Sequence, residues 1–315
     1  MVLHIATPLL ESHAMAVRAG QSVWLKMEAL QPSGSFKLRG IGHACEQYAL
    51  RGARRFVSSS GGNAGIAAAH AGRRLGLPVT VVVPETSSSR ARELIAQEGA
   101  EIVVHGASFQ EANALAQSMM GEHDAFIHPF DDPLLWDGHA TMMDEVDRAD
   151  SGPVHFRPDA VVLSVGGGGL LCGVVEGLHR NGWGKVPVIA VETLGADAYA
   201  RSLQLGERIE LPAITSVATS LGARKVSEQA FELAQRHPIE PVVVSDREAV
   251  EACLRFMLDH RVVVEPACGA ALAVAYRAGE LLPRFDRVLV IVCGGVTATV
   301  EQLQSWGQTL PRDRR

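Results

Sequence analysis

Short runs of β-branched and other apolar residues recur at 23–26, 55–58, 79–83, 102–104 and 125–127, each followed by a stretch rich in Ala and Leu. Such continuous apolar runs predict buried strands, and the intervening stretches 64–75, 88–97 and 110–119 carry apolar residues at helical spacing. The second half repeats the design, with strands predicted at 160–165, 187–191, 241–244 and 287–292, each succeeded by a helix-compatible segment. This alternation predicts an α/β fold in which parallel strands are joined through right-handed crossovers. No Pro-, Gly- or Ser-rich linker divides the 315 residues. Two lobes folded against each other, with the chain crossing between them more than once, are therefore the expected organisation.

Composition narrows the class of partner. An apolar fraction of 47% with 20% charged residues describes an ordinary globular protein with a sizeable core. A net charge of −6 without a Lys/Arg cluster gives nothing to attract a phosphate backbone or an anionic bilayer, so neither nucleic acid nor membrane is an expected partner. The start, Met1-Val2-Leu3-His4, lacks a basic segment followed by an apolar core, and a cytoplasmic location is expected. Five cysteines, odd in number and without C-x-x-C spacing, speak against a disulfide framework or a structural zinc site and are expected to be mostly buried thiols. Small-molecule chemistry is what remains.

Parallel sheets bind ligands beyond the carboxyl ends of their strands, so the loops after the apolar runs carry the most information. In the first, Gln31-Pro32-Ser33-Gly34-Ser35-Phe36-Lys37-Leu38-Arg39-Gly40, Lys37 falls at a predicted helix start. There the helix dipole lowers proton affinity and favours a nucleophilic amine. Read alone, such a lysine is far more often a solvated surface residue. In the second, Ser58-Ser59-Ser60-Gly61-Gly62-Asn63-Ala64-Gly65, small residues at a helix start leave N–H groups open to a carboxylate or phosphate. A plain turn with Asn63 as helix cap is the alternative. In the third, Ser164-Val165-Gly166-Gly167-Gly168-Gly169-Leu170, four glycines make a costly helix start that close approach of a phosphate would justify, as would tight strand-to-helix packing. Cys293, in Val292-Cys293-Gly294-Gly295, reads by itself as an inert core thiol.

Together these motifs resemble the serine and threonine dehydratases among the tryptophan-synthase β-like, fold-type II pyridoxal-phosphate enzymes, most of all the serine dehydratase branch. Thr7-Pro8-Leu9, Pro129-Phe130-Asp131 and the run from Val264 to Ala270 add to the likeness, which covers nearly the whole chain in order. The resemblance implies two lobes, each an open, mostly parallel sheet flanked by helices: a small lobe at 37–138, and a large lobe at 1–36 plus 139–315 that holds the cofactor phosphate loop. It implies conversion of L-serine to pyruvate and ammonia and of L-threonine to 2-oxobutyrate and ammonia, with Lys37 as the Schiff-base lysine and proton acceptor. Phe36 would pack on the cofactor ring and Asn63 would bond its 3-hydroxyl. Gly166, Gly167, Gly168, Gly169 and Leu170 would hold the phosphate. Ser60, Gly61, Gly62, Asn63 and Ala64 would clasp the substrate carboxylate.

Cys293 would then face the pyridine nitrogen, where a neutral thiol leaves the ring a weaker electron sink than a carboxylate would, which elimination tolerates. A monovalent cation, potassium, would sit among Gly166, Glu192, Ala196, Leu221 and Ala223, and the enzyme would be a homodimer. Serine racemases of this fold carry a serine where Gly61 stands and a second acid where Ala198 stands, so racemisation and a divalent-metal site are disfavoured. Gly61 should widen the pocket floor. With only a short stretch after Gly295, control through the carboxy-terminal regulatory domain of biosynthetic threonine dehydratases is not expected. His70, His128 and His139 match no motif and are expected to be packing or loop residues. A cysteine synthase-like β-replacement enzyme and a non-catalytic cofactor or amino-acid binding protein are the rival functions.

Overall fold

The computed structural model describes residues 2–149, 156–277 and 284–311. The strands are β1 (Leu9–Glu11), β2 (Ser22–Lys26), β3 (Arg55–Ser58), β4 (Val79–Val83), β5 (Glu101–Val104), β6 (Asp124–Ile127), β7 (Ala160–Ser164), β8 (Val188–Thr193), β9 (Ile239–Val244) and β10 (Arg287–Ile291). They form two sheets. One has the order β5-β4-β3-β6 and is parallel throughout. The other has the order β1-β2-β10-β7-β8-β9, with only the β1–β2 pair antiparallel. The chain begins in the six-stranded sheet, leaves it to build the four-stranded one, and returns.

β4, β7 and β8 are buried along their whole lengths, which is why they read as unbroken apolar runs. β1 gave no such signal, because its three residues lie at a sheet edge and stay mostly exposed. β9 starts two residues earlier than its pattern suggested. Pro241 looks like a strand boundary, but at the sheet edge no further strand asks for the N–H it lacks. The predicted helices at 88–97 and 110–119 are observed at Ser89–Gln97 and Phe109–Ser118, with Ser88 and Ser108 as their capping residues.

Two features fix the helix Lys37–Leu50, which carries the lysine singled out above. It packs closely on the helix Pro133–Arg148 through paired glycines: a Cβ at Gly138 would stand 2.5 Å from the Arg39 carbonyl oxygen and 2.8 Å from the Gly40 Cα. It is also tied down by Arg39, which is fully buried. The Arg39 guanidinium donates to Glu28 at 2.7 and 2.8 Å and to Glu145 at 2.7 Å from each of two nitrogens, and Lys26 also bonds Glu145, at 2.5 Å. Glu28 follows β2 and Glu145 lies on the helix Pro133–Arg148, so two buried cations and two anions join the six-stranded sheet to the Lys37 helix. Such a cluster adds little net stability over apolar packing, but it admits one geometry.

Candidate active site

The loops after β2, β3, β7 and β10 converge at the carboxyl ends of their strands. Phe36 N–H donates to the Cys293 carbonyl at 3.0 Å, Gly295 N–H to the Gly34 carbonyl at 2.9 Å, and Ser35 pairs with Gly294. Residues 34–36 therefore run alongside 293–295, which seats Lys37 as the first residue of its helix. The Lys37 Nζ donates to the Pro129 carbonyl at 2.6 Å and lies 5.1 Å from the Phe36 ring centre. The residue keeps some accessible surface, but the protein crowded around its amine lowers the pKa from 10.5 to about 8, with the Glu265 carboxylate acting in the opposite direction. Desolvation, rather than the helix dipole invoked from sequence, is thus the leading cause.

Two helix starts at this site differ from most others in the chain. The helices Asn63–Leu75 and Gly169–Arg180 begin after Gly62 and Gly168, with no side-chain cap and no acid in the first turn. By contrast Ser12, Ser88, Ser108, Asp132, Ser227, Ser245 and Thr299 each cap the helix they precede. First-turn N–H groups lack intrahelical partners, so uncapped starts are suited to anions. The tetraglycine also answers a packing demand. A Cβ at Gly167 would overlap the Phe130 ring, one at Gly169 would stand 2.7 Å from the Phe130 carbonyl oxygen, and one at Gly168, where φ is +97°, would overlap Ala230. Phe130 adjoins Pro129, so the lysine and the glycine loop share one wall. His128 orders that wall by accepting the N–H groups of Phe130 and Asp131 through Nδ1.

Glu265 stands at the centre of the loops, and sequence reading gave it no role. Only 3% exposed, it accepts from Asn63 Nδ2 at 2.6 Å and from Thr297 Oγ1 at 2.6 Å. Asn63 Nδ2 also reaches Ser220 Oγ at 3.3 Å, and its Oδ1 accepts from Val296 N at 3.2 Å. Burial raises the Glu265 pKa, against the donors from Ser220, Thr297 and Asn63. All five cysteines are buried thiols. A hydrogen bond with Cys268, followed by burial, pushes the Cys293 thiol well above its ordinary pKa, so it stays neutral. His139 packs against Phe36 and accepts from Gly40 N at 3.2 Å, while His70 bonds Glu98 at 3.1 Å. Both lie within the packing.

One expectation changes. The widened floor at Gly61 is not vacant: a Cβ there would overlap Ser87 Oγ and stand 3.0 Å from Ser87 Cβ, so a hydroxyl from the loop after β4 fills the space. Glu192 is fully buried, and its two oxygens accept the N–H groups of Tyr199 at 2.9 Å and Ala200 at 2.7 Å at the start of the helix Ala198–Leu205. Burial raises its pKa to about 8. Of the residues grouped with it, Gly166 and Leu221 lie together, a Cβ at Gly166 standing 3.1 Å from the Leu221 Cα, while Ala196 is buried and Ala223 half-buried.

The site thus offers an amine of lowered pKa, two uncapped helix starts and a neutral thiol within one set of loops. The sequence profile of a family described as pyridoxal-phosphate dependent enzymes matches residues 2–294. The chain belongs to this family. Among similar proteins of the family, a human one named L-serine dehydratase/L-threonine deaminase is 46% identical over 323 residues, covering 99% of this chain and 97% of its own. A rat protein named serine dehydratase-like is 49% identical over 311 residues, covering 96% and 93%. The solved structure of a fungal L-serine ammonia-lyase from Rhizomucor miehei matches with a TM-score of 0.89 at 34% identity, over 98% of this chain and 99% of that one.

Membership in a pyridoxal-phosphate family makes the Lys37 amine testable directly. Because its pKa lies near 8 rather than 10.5, the neutral, nucleophilic form accumulates from about pH 8 upward. The rate at which the cofactor-free chain captures pyridoxal phosphate should rise about tenfold per pH unit below that point and then level off. Stopped-flow absorbance from pH 6 to 10 checks this, and a rise that continues unchanged beyond pH 9.5 would contradict it.

Proposed function

We propose that this chain is a pyridoxal-phosphate-dependent ammonia-lyase that converts L-serine to pyruvate and ammonia and L-threonine to 2-oxobutyrate and ammonia. The observation that carries the reading is the convergence of Lys37 with two uncapped glycine helix starts, in a chain so similar to proteins named serine dehydratase. The start at 166–170 takes the phosphate of the cofactor, and Gly166 to Leu170 supply main-chain donors. The second start, Ser60 to Ala64, takes the substrate carboxylate. Phe36 would lie against the ring, Asn63 would bond its hydroxyl, and Cys293 would stand near its nitrogen. The lobes are 37–138 and 1–36 plus 139–315, and the membership of the two sheets supports that division.

When bound, pyridoxal phosphate supplies an electron-withdrawing ring that makes the α-hydrogen of an attached amino acid acidic. The residues of the chain do the rest. Lys37 would hold the cofactor, and with substrate bound its neutral Nζ would accept the α-proton. The amides at 62–64 would hold the carboxylate and so orient the substrate for proton transfer. Cys293 puts no full charge beside the ring nitrogen, which suits a reaction in which the departing β-hydroxyl carries the electrons away.

A potassium ion held by the Glu192 carboxylate with carbonyls of Gly166, Ala196, Leu221 and Ala223 is part of this proposal, supported by the burial of Glu192 beside the phosphate-loop side of the sheet. So are a homodimer, which rests on the family resemblance, and a cytoplasmic location. Among the described residues, no helix is long and apolar enough to cross a membrane.

Keto-acid release from L-serine and from L-threonine, set beside turnover of O-acetylserine with sulfide, tests the reading: release from the hydroxyamino acids supports it, and turnover of the acetylserine pair alone overturns it. The pocket floor provides a further check. Gly61→Ala should lower kcat/KM by about tenfold, the scale of a misplaced carboxylate clasp, and Ser87→Gly in the same chain should restore most of it by clearing the overlap. Steady-state kinetics of the two single variants and the pair decide this.

A further inference from the structure

We propose that Glu265 is a positioning residue, which dictates how Asn63 meets the ring hydroxyl of the cofactor. Glu265 occupies the N-cap of the helix Pro266–Tyr276 but makes no capping bond to it. Its carboxylate is spent elsewhere: Oε1 takes Asn63 Nδ2 at 2.6 Å, and Oε2 takes Thr297 Oγ1 at 2.6 Å and Thr297 N at 3.3 Å. Asn63 opens the helix that follows β3 of the four-stranded sheet, whereas Thr297 lies in the loop after β10 of the six-stranded sheet. The Asn63–Glu265 bond therefore spans the two sheets.

An asparagine amide has two N–H donors and one carbonyl acceptor. Glu265 takes one donor at short range and the Val296 N–H occupies the carbonyl, which leaves the second donor on Ser220 Oγ at 3.3 Å. Ser220 is exposed, and its bond to Asn63 is the weakest of the three. The second N–H is thus the one free to move to a ring oxygen. A flipped amide would set its carbonyl against the Glu265 carboxylate and its NH₂ against the Val296 N–H, so Glu265 and Val296 together enforce a single orientation. The surrounding chain is shaped for the acid. A Cβ at Gly295 would overlap the Glu265 carboxyl group, and Gly295 holds φ at +110°, so the loop that carries Cys293 admits Glu265 only because residue 295 is glycine. Glu265 acts through Asn63.

This inference rests on the reading of Asn63 as the partner of the ring hydroxyl, and its test reads cofactor affinity rather than turnover. Cofactor-free wild type, Asn63→Ala, Glu265→Ala, Glu265→Gln, Thr297→Val and the Asn63→Ala/Glu265→Ala pair are titrated with pyridoxal phosphate by visible absorbance. Asn63→Ala and Glu265→Ala should each weaken binding about tenfold, the pair no more than Asn63→Ala alone, and Glu265→Gln, which keeps an acceptor for Asn63, by no more than about threefold. The pH midpoint of the visible band should move alike in Asn63→Ala and Glu265→Ala, a change that a merely structural role for Glu265 would not produce. Multiplicative losses in the pair, or wild-type affinity in Glu265→Ala, overturn the proposal. If Glu265→Ala does not fold, Thr297→Val decides: it loosens Glu265 without removing it, and its loss of about threefold should vanish in the Asn63→Ala background. Wild-type affinity in Asn63→Ala removes the premise about Asn63 itself. Failure of wild type to release keto acid counts against the proposed reaction and leaves this titration intact.

Discussion

Lys37→Ala is expected to abolish turnover, lowering kcat by roughly 10⁴-fold or more, because one side chain both anchors the cofactor and moves the α-proton. The visible absorbance of the cofactor-loaded chain should disappear in the same variant, since no other described lysine shares the setting of Lys37. Lys26, a buried lysine whose pKa burial also lowers, has its Nζ bonded to the Thr7 carbonyl and Glu145. Thermal stability should change little, because the ties that seat the helix, Arg39 to Glu28 and Glu145 and Gly40 to Gly138, do not involve the Lys37 ammonium. Persistent visible absorbance in a folded Lys37→Ala variant would place the covalent link elsewhere.

Gly168→Ala should be the most damaging single change in the phosphate loop. A φ of +97° lies outside what an L side chain adopts readily, and the new Cβ would also overlap Ala230. A combined strain of about 2–3 kcal/mol, relieved only by moving the loop, predicts pyridoxal-phosphate affinity weakened by roughly 30- to 150-fold. Ala230→Gly should recover part of that loss, because it removes the overlap and leaves the backbone strain. Equilibrium titration of the cofactor-free variants measures both. Wild-type affinity in Gly168→Ala would show that the tetraglycine does not hold the phosphate.

How much of this was legible beforehand follows from what each feature demands of the chain. β4 and β7 announce themselves because burial on both faces requires unbroken apolar sequence, and the glycine helix starts do so because anion binding and close packing both exclude side chains. β1 and Pro241 were missed or misread, since an edge strand is constrained on one side only. Glu265 and Ser87 escaped for a different reason. Their significance lies in what stands opposite them, Asn63 from 202 residues away and Gly61 from another loop, and no local pattern encodes such a meeting. Glu265 did lie in a recognised run, from Val264 to Ala270, but a lone acid before a proline reads as an ordinary helix start. Glu192 shows the same limit: a single glutamate near the end of a strand does not reveal that it is buried against the start of the next helix.

The central claim is that the loaded chain eliminates water from L-serine. Pyruvate and ammonia should therefore be measured together in one reaction of cofactor-loaded wild type with L-serine. Equal amounts of both products, formed over many turnovers, are the predicted result. Visible absorbance of bound cofactor with neither product released would contradict it.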